Sequence, residues 1–164
     1  MYIAAIHKLS YEPMKKNLTK KLLLSLLTLT LIGGGVFWFA YQAQGVNRTW
    51  DGGGVDGTCG GAGTANNWTC AANWSADTVP TSADVAIFDS TSTKDVTINA
   101  SLSGGTAPAG ISINSGYTGT ITQASGVTIA VGASNFVQAD GTFTGGNSTI
   151  TIGGTYTLSG GTFT

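Results

Sequence analysis

The sequence predicts an all-β fold: a right-handed parallel β-helix, a solenoid of stacked turns, preceded by an N-terminal transmembrane or signal helix. Three observations carry this expectation. Residues 22–41 form an uncharged apolar run. From Ala83 onward, short runs alternate between apolar and polar residues with a period of two, the pattern of half-buried strands. Aromatic and aliphatic residues then recur at nearly constant steps of about 20 residues, which is how stacked repeats announce themselves.

The first element is the leader, residues 1–43. As a helix, residues 22–41 would be about 30 Å long, the thickness of a bilayer core. Lys15, Lys16, Lys20 and Lys21 precede the run and only Arg48 follows closely, so the positive-inside rule keeps the N-terminus in the cytoplasm and exports the rest. Met14-Lys15-Lys16 is a better beginning for such a signal than Met1. Signal peptidase wants small residues at −1 and −3, yet cleavage after Ala43 would leave Tyr41 at −3 and cleavage after Ala40 would leave Trp38. An uncleaved anchor is favoured over a released protein, and the membrane is the partner of residues 22–41.

The second element, residues 44–83, is a loop-like cap rich in Gly, Asn and Trp. Cys59 and Cys70 are the chain's two cysteines, and both fall in the exported part, where oxidation is expected. Pairing them closes a loop worth about 2–3 kcal/mol. Zinc is excluded as the alternative because no histidine follows His7 to complete a shell. Trp50, Trp68 and Trp74 have two readings: indoles pinning the cap onto the first turn, which is favoured, or indoles stacking on glycan rings.

The third element, residues 84–164, carries the strands. The alternating runs begin at Val85, Val96, Ile111, Thr120, Val127, Phe136, Thr142, Thr149, Thr155 and Thr162. Phe143 to Phe163 and Phe136 to Tyr156 are steps of 20, Ile129 to Ile150 is 21, and Ile121 to Phe143 is 22. Each predicts a pair stacked in neighbouring turns. The Gly-Gly pairs at 104–105, 145–146, 153–154 and 160–161 are expected to supply positive φ at the corners. An antiparallel sandwich is the competing fold, since short strands at 8–12-residue spacing also suit it. Phe163-Thr164 ends inside a repeat without a capping segment, so the expectation is a solenoid cut short at its C-terminus.

Charge narrows the functions. After residue 43, Arg48 and Lys94 face seven aspartates, which offers no footprint for a phosphate backbone and excludes nucleic acid as a partner. That region also lacks His and Glu, leaving only aspartates for acid–base chemistry. Asp84, Asp89 and Asp95 are near in sequence but read as solvated turn residues. The Asp51–Gly57 stretch fails as a calcium loop because Gly53 and Val55 stand where oxygen ligands belong. No catalytic residue, metal or cofactor is expected, and the chain reads as a non-enzyme.

Thr49-Trp50-Asp51-Gly52-Gly53, Asn67-Trp68-Thr69, Asn73-Trp74-Ser75, Val79-Pro80 and Asp84-Val85-Ala86-Ile87-Phe88-Asp89 resemble the N-terminal segment of large bacterial surface proteins with β-helical passengers. The later Gly-Thr-Phe-Thr units are similar to autotransporter-type and adhesin-type repeats. The resemblance implies display at the cell surface, with adhesion to surface glycans or to proteins of a host or neighbouring cell. The alternative is a carbohydrate-binding or carbohydrate-active β-helix with its site in a missing C-terminal portion.

Overall fold

The computed structural model of the chain describes residues 45–164. The leader and its apolar run at 22–41 lie outside these residues. Among the described residues, no helix is long and apolar enough to cross a membrane.

Each of the ten alternating runs is a strand. They are β2 (Val85–Phe88), β3 (Val96–Ile98), β4 (Gly110–Ile113), β5 (Thr120–Gln123), β6 (Ile129–Val131), β7 (Phe136–Gln138), β8 (Thr142–Thr144), β9 (Ile150–Ile152), β10 (Tyr156–Leu158) and β11 (Thr162–Phe163). A further strand, β1 (Asn47–Thr49), lies in the segment expected to be all loop. It pairs with β2 through Asn47↔Val85 and Thr49↔Ile87, so the strand region starts in the cap rather than at residue 84. One helical turn, α1 (Asp56–Cys59), is the only α-helix among the described residues.

The strands form three sheets, ordered β1-β2-β4-β7-β10, β11-β8-β5-β3 and β6-β9, and every pairing between them is parallel. The antiparallel sandwich is therefore excluded. From β2 onward, successive strands pass from one sheet to another, and each returning strand pairs with the previous strand of its sheet. All four predicted stacking pairs are register partners: Phe143↔Phe163, Phe136↔Tyr156, Ile129↔Ile150 and Ile121↔Phe143. The Phe143 and Phe163 rings lie 5.0 Å apart and 5° from parallel.

Alternation sends every second side chain inward, which builds columns. Ala86, Ile111 and Phe136 form one, and Val96, Ile121 and Phe143 another, all buried. Full burial of each such large side chain stabilises the fold by about 1.5–3 kcal/mol. Gln123 and Gln138 also point inward, and their amides bond the next repeat: Gln138 Nε2 donates to Thr162 O at 2.9 Å, and Gln123 Nε2 to Ser148 O at 3.2 Å.

The glycine pairs correct an expectation. Among them only Gly104 and Gly161 have positive φ. Gly146 and Gly154 are needed for close approach: a Cβ on Gly146 would lie 2.8 Å from Gln123 O, and one on Gly154 would lie 2.5 Å from Asn135 Oδ1. The backbone of the preceding repeat passes too near for a side chain.

Candidate functional site

The sequence singled out Cys59, Cys70, Trp50, Trp68 and Trp74, and the structure brings them into one end of the molecule. Cys59 and Cys70 are joined in a disulfide, with Cα atoms 5.0 Å apart. The tryptophans are 0%, 1% and 0% exposed. Trp74 packs edge-on against Trp50 at 5.2 Å, Trp68 at 4.7 Å and Phe88 at 5.6 Å. Edge-to-face contact sets the positive rim of one ring against the negative face of the next. All three rings are buried, so in this arrangement none offers an open face for a sugar to stack on.

Hydrogen bonds hold the cluster. Trp74 Nε1 donates to Trp68 O at 2.8 Å and Trp50 Nε1 to Lys94 O at 3.2 Å, whereas buried Trp68 Nε1 has no partner. Asn73 is fully buried: its Oδ1 accepts from Gly54 N at 2.9 Å, and its Nδ2 donates to Ala65 O and Asn67 O at 2.9 and 3.1 Å. One side chain thus ties three points of a loop that has little apolar surface of its own. Asn73 opens the glycosylation pattern Asn73-Trp74-Ser75, and burial closes it to that modification in the folded state, while Asn47 and Asn147, which open the same pattern at Asn47-Arg48-Thr49 and Asn147-Ser148-Thr149, are exposed.

Lys94 is a second tie that the sequence reading did not identify. Its Nζ donates to Gly52 O at 2.6 Å and Gly54 O at 3.0 Å. Its carbonyl accepts from both Trp50 Nε1 and, at 2.8 Å, the Tyr117 hydroxyl. Burial, reinforced by the Asp95 carboxylate, pushes the Tyr117 phenol well above its usual range. The available signal was the isolation of Lys94 as the only lysine after residue 43.

Asp84 corrects the expectation of solvated turn aspartates, since it is 5% exposed. Its carboxylate accepts from Val46 N at 3.0 Å, Thr81 N at 2.9 Å and Thr81 Oγ1 at 2.7 Å, and lies 3.9 Å from Arg48 Nε. Burial pushes its pKa up, but the Thr81 side chain, the Thr81 and Val46 amides and the Arg48 charge outweigh that and leave it lowered. A carboxyl with a lowered folded pKa contributes stability above its unfolded pKa, near 4, and loses it as pH falls through the folded value. Asp84→Asn should therefore cost about 2 kcal/mol at neutral pH and weaken the acid-side loss of stability, measured by urea unfolding from pH 7 to pH 2. An equally steep acid limb in the variant would refute this role.

Five of the six remaining aspartates serve the backbone. Asp51 accepts from Gly53 N, Asp56 from Gly63 N and Ala65 N, Asp89 from Thr91 N, Asp95 from Thr120 N, and Asp140 from Gly116 N and Gly141 N. Asp84, Asp89 and Asp95 each hold a different loop. Among the described residues, no group of three or more His, Cys, Asp or Glu side chains converges as a metal site.

The outward side of the β3-β5-β8-β11 sheet presents two threonine columns. Thr97, Thr122 and Thr144 are register partners, as are Thr120, Thr142 and Thr162. Their spacing is that of the strands, roughly 4.8 Å. Comparison with family models, curated proteins and solved structures finds no match.

Proposed function

We propose that this chain is an exported structural or adhesive protein, a capped right-handed parallel β-helix anchored by residues 22–41 and displayed at the cell surface. The observation that carries the reading is the in-register return of strands to three parallel sheets. Such stacking builds a rigid rod whose walls repeat, and parallel crossovers are overwhelmingly right-handed. The threonine columns supply a regular wall of hydroxyl and methyl groups suited to broad contact with another surface. The disulfide fits an oxidising compartment. The charged groups discussed above are committed to loops and caps, which suits a scaffold without chemistry of its own. The carbohydrate alternative loses the three indoles as contact residues.

The test expresses the full chain with its own leader in a bacterium, followed by thiol alkylation and protease treatment of intact cells. Display predicts that Cys59 and Cys70 resist alkylation until reduced, and that external protease cuts the chain. Free thiols would overturn export. Oxidised thiols in a chain fully protected from protease would place it beneath the surface and overturn display.

A further inference from the structure

Every outward residue of β3, β5, β8 and β11 is a threonine. Thr97, Thr122 and Thr144 form one column across these strands and Thr120, Thr142 and Thr162 the other. The residues that alternate with them, such as Val96, Ile121 and Phe143, are buried. The register steps are 25, 22 and 20 residues, so the loops change length while the outward residue type does not. Strand preference alone does not account for this. On the β1-β2-β4-β7-β10 sheet the matching outward column runs Ile87, Ser112, Val137, and on the β6-β9 sheet Ala130 is the register partner of Thr151.

The grid is regular in both directions. Neighbouring strands lie about 4.8 Å apart, and alternate residues along a parallel strand about 6.6 Å apart. Strands in ordinary sheets rotate by roughly 20–25° from one to the next, which would fan such a grid out. Here the Phe143 and Phe163 rings beneath it are 5.0 Å apart and 5° from parallel, so β11 repeats β8 with little rotation. Threonine is stiff at χ1, which fixes where each hydroxyl and methyl sits. Among the described residues, none of the six hydroxyls has a hydrogen-bond partner; the bonds at these residues use backbone atoms, such as Thr97 N to Asn66 O at 2.8 Å and Thr142 N to Gly119 O at 3.1 Å. The grid itself carries no charge, and Asp95, which precedes β3, accepts from Thr120 N at 2.8 Å.

We propose that this wall binds ice. The partner is a neutral, rigid lattice of water oxygens, and the two spacings of the grid lie close to the oxygen repeats on the prism face of hexagonal ice. Water held by the hydroxyls, in the gaps between the methyl groups, takes up the spacing of the grid and so joins the lattice. A wall fixed in advance loses little conformational entropy on docking. Charge points the same way: the exported part carries seven aspartates against Arg48 and Lys94, yet this face is neutral, as its partner is. A glycan partner would call for open aromatic faces beside the hydroxyls, and this wall presents threonine alone. The inference names the surface that the adhesive reading leaves open, and it rests on the stacked turns of that reading.

The test places the full chain, fluorescently labelled, in lipid nanodiscs while a single ice crystal grows slowly through the solution. A growing lattice rejects solutes that do not bind it. The chain should enter the ice with about tenfold or more enrichment over nanodiscs without protein, with its fluorescence on prism faces. Thr122→Lys and Thr142→Lys, one in each column, should each lower that enrichment by about tenfold, because a long charged side chain holds the wall off the lattice. Val137→Lys, outward on another sheet, should leave it unchanged. Circular dichroism and the resistance of Cys59 and Cys70 to alkylation verify that each variant is folded. Exclusion of the unaltered chain from ice overturns the proposal, and so does an equal loss in Val137→Lys. Threonine-dependent retention on crystalline cellulose without entry into ice would assign the wall to a polysaccharide and overturn it too. Display on cells without entry into ice sinks this inference alone, whereas entry into ice by a chain that cells shield from external protease sinks the display reading alone.

Discussion

Trp74→Ala is expected to destabilise the fold by about 3–5 kcal/mol, a large fraction of the stability of a domain this size. The ring is fully buried and is the hub of the aromatic cluster, touching Trp50, Trp68 and Phe88. Its removal leaves a cavity that three rigid rings cannot collapse into, and it orphans the Trp68 carbonyl that Trp74 Nε1 satisfies. Trp74→Phe keeps much of the packing and loses the donor, so its cost should be about 1–3 kcal/mol. Urea unfolding followed by circular dichroism and by the remaining tryptophans checks both values. Because stacked repeats can lose cooperativity, the two probes should be compared. If the cap frays first, the fluorescence transition alone will shift. A cost below about 1 kcal/mol for alanine would show that the cluster covers the end without stabilising it.

Phe136→Ala should cost a similar 3–5 kcal/mol, whereas Phe163→Ala should cost about half as much or less. Phe136 is buried between repeats, with ring centroids 5.4 Å from both Phe143 and Tyr156. Phe163 belongs to the last repeat and is partly exposed, so less area is lost with it. Chevron or equilibrium unfolding of the pair measures the gradient. Equal costs would mean that the final repeat is covered in solution.

The strands were legible because their signal is local. Thr-Ile-Thr, Thr-Phe-Thr and Val-Thr-Ile alternate whatever lies above them, and that alternation also decides which side chains face inward. Four register pairs were legible because their members recur after 20–22 residues, whereas Ala86↔Ile111, Ile111↔Phe136 and Val96↔Ile121 return after 25 and broke the interval that the sequence suggested. By contrast, β1 is Asn-Arg-Thr, three polar residues with no alternation to detect, and it becomes a strand only because β2 offers an edge. Asp84 looked like a turn residue because its partners Val46 and Arg48 lie nearly 40 residues away. The glycine pairs were assigned to corners, although Gly146 and Gly154 answer to the repeat beneath them.

By itself the sequence determined ten of the eleven strands, the alternation of their side chains, four of the register pairs and, with two cysteines, the disulfide. Only the tertiary structure decided that Trp74 packs edge-on against both Trp50 and Trp68, that Asn73, Asp84, Gln123 and Gln138 are buried, and that Lys94 fastens the cap. The physical reason is range. Period and composition act within a few residues, but a polar group's burial depends on whether a partner from another repeat arrives to satisfy it.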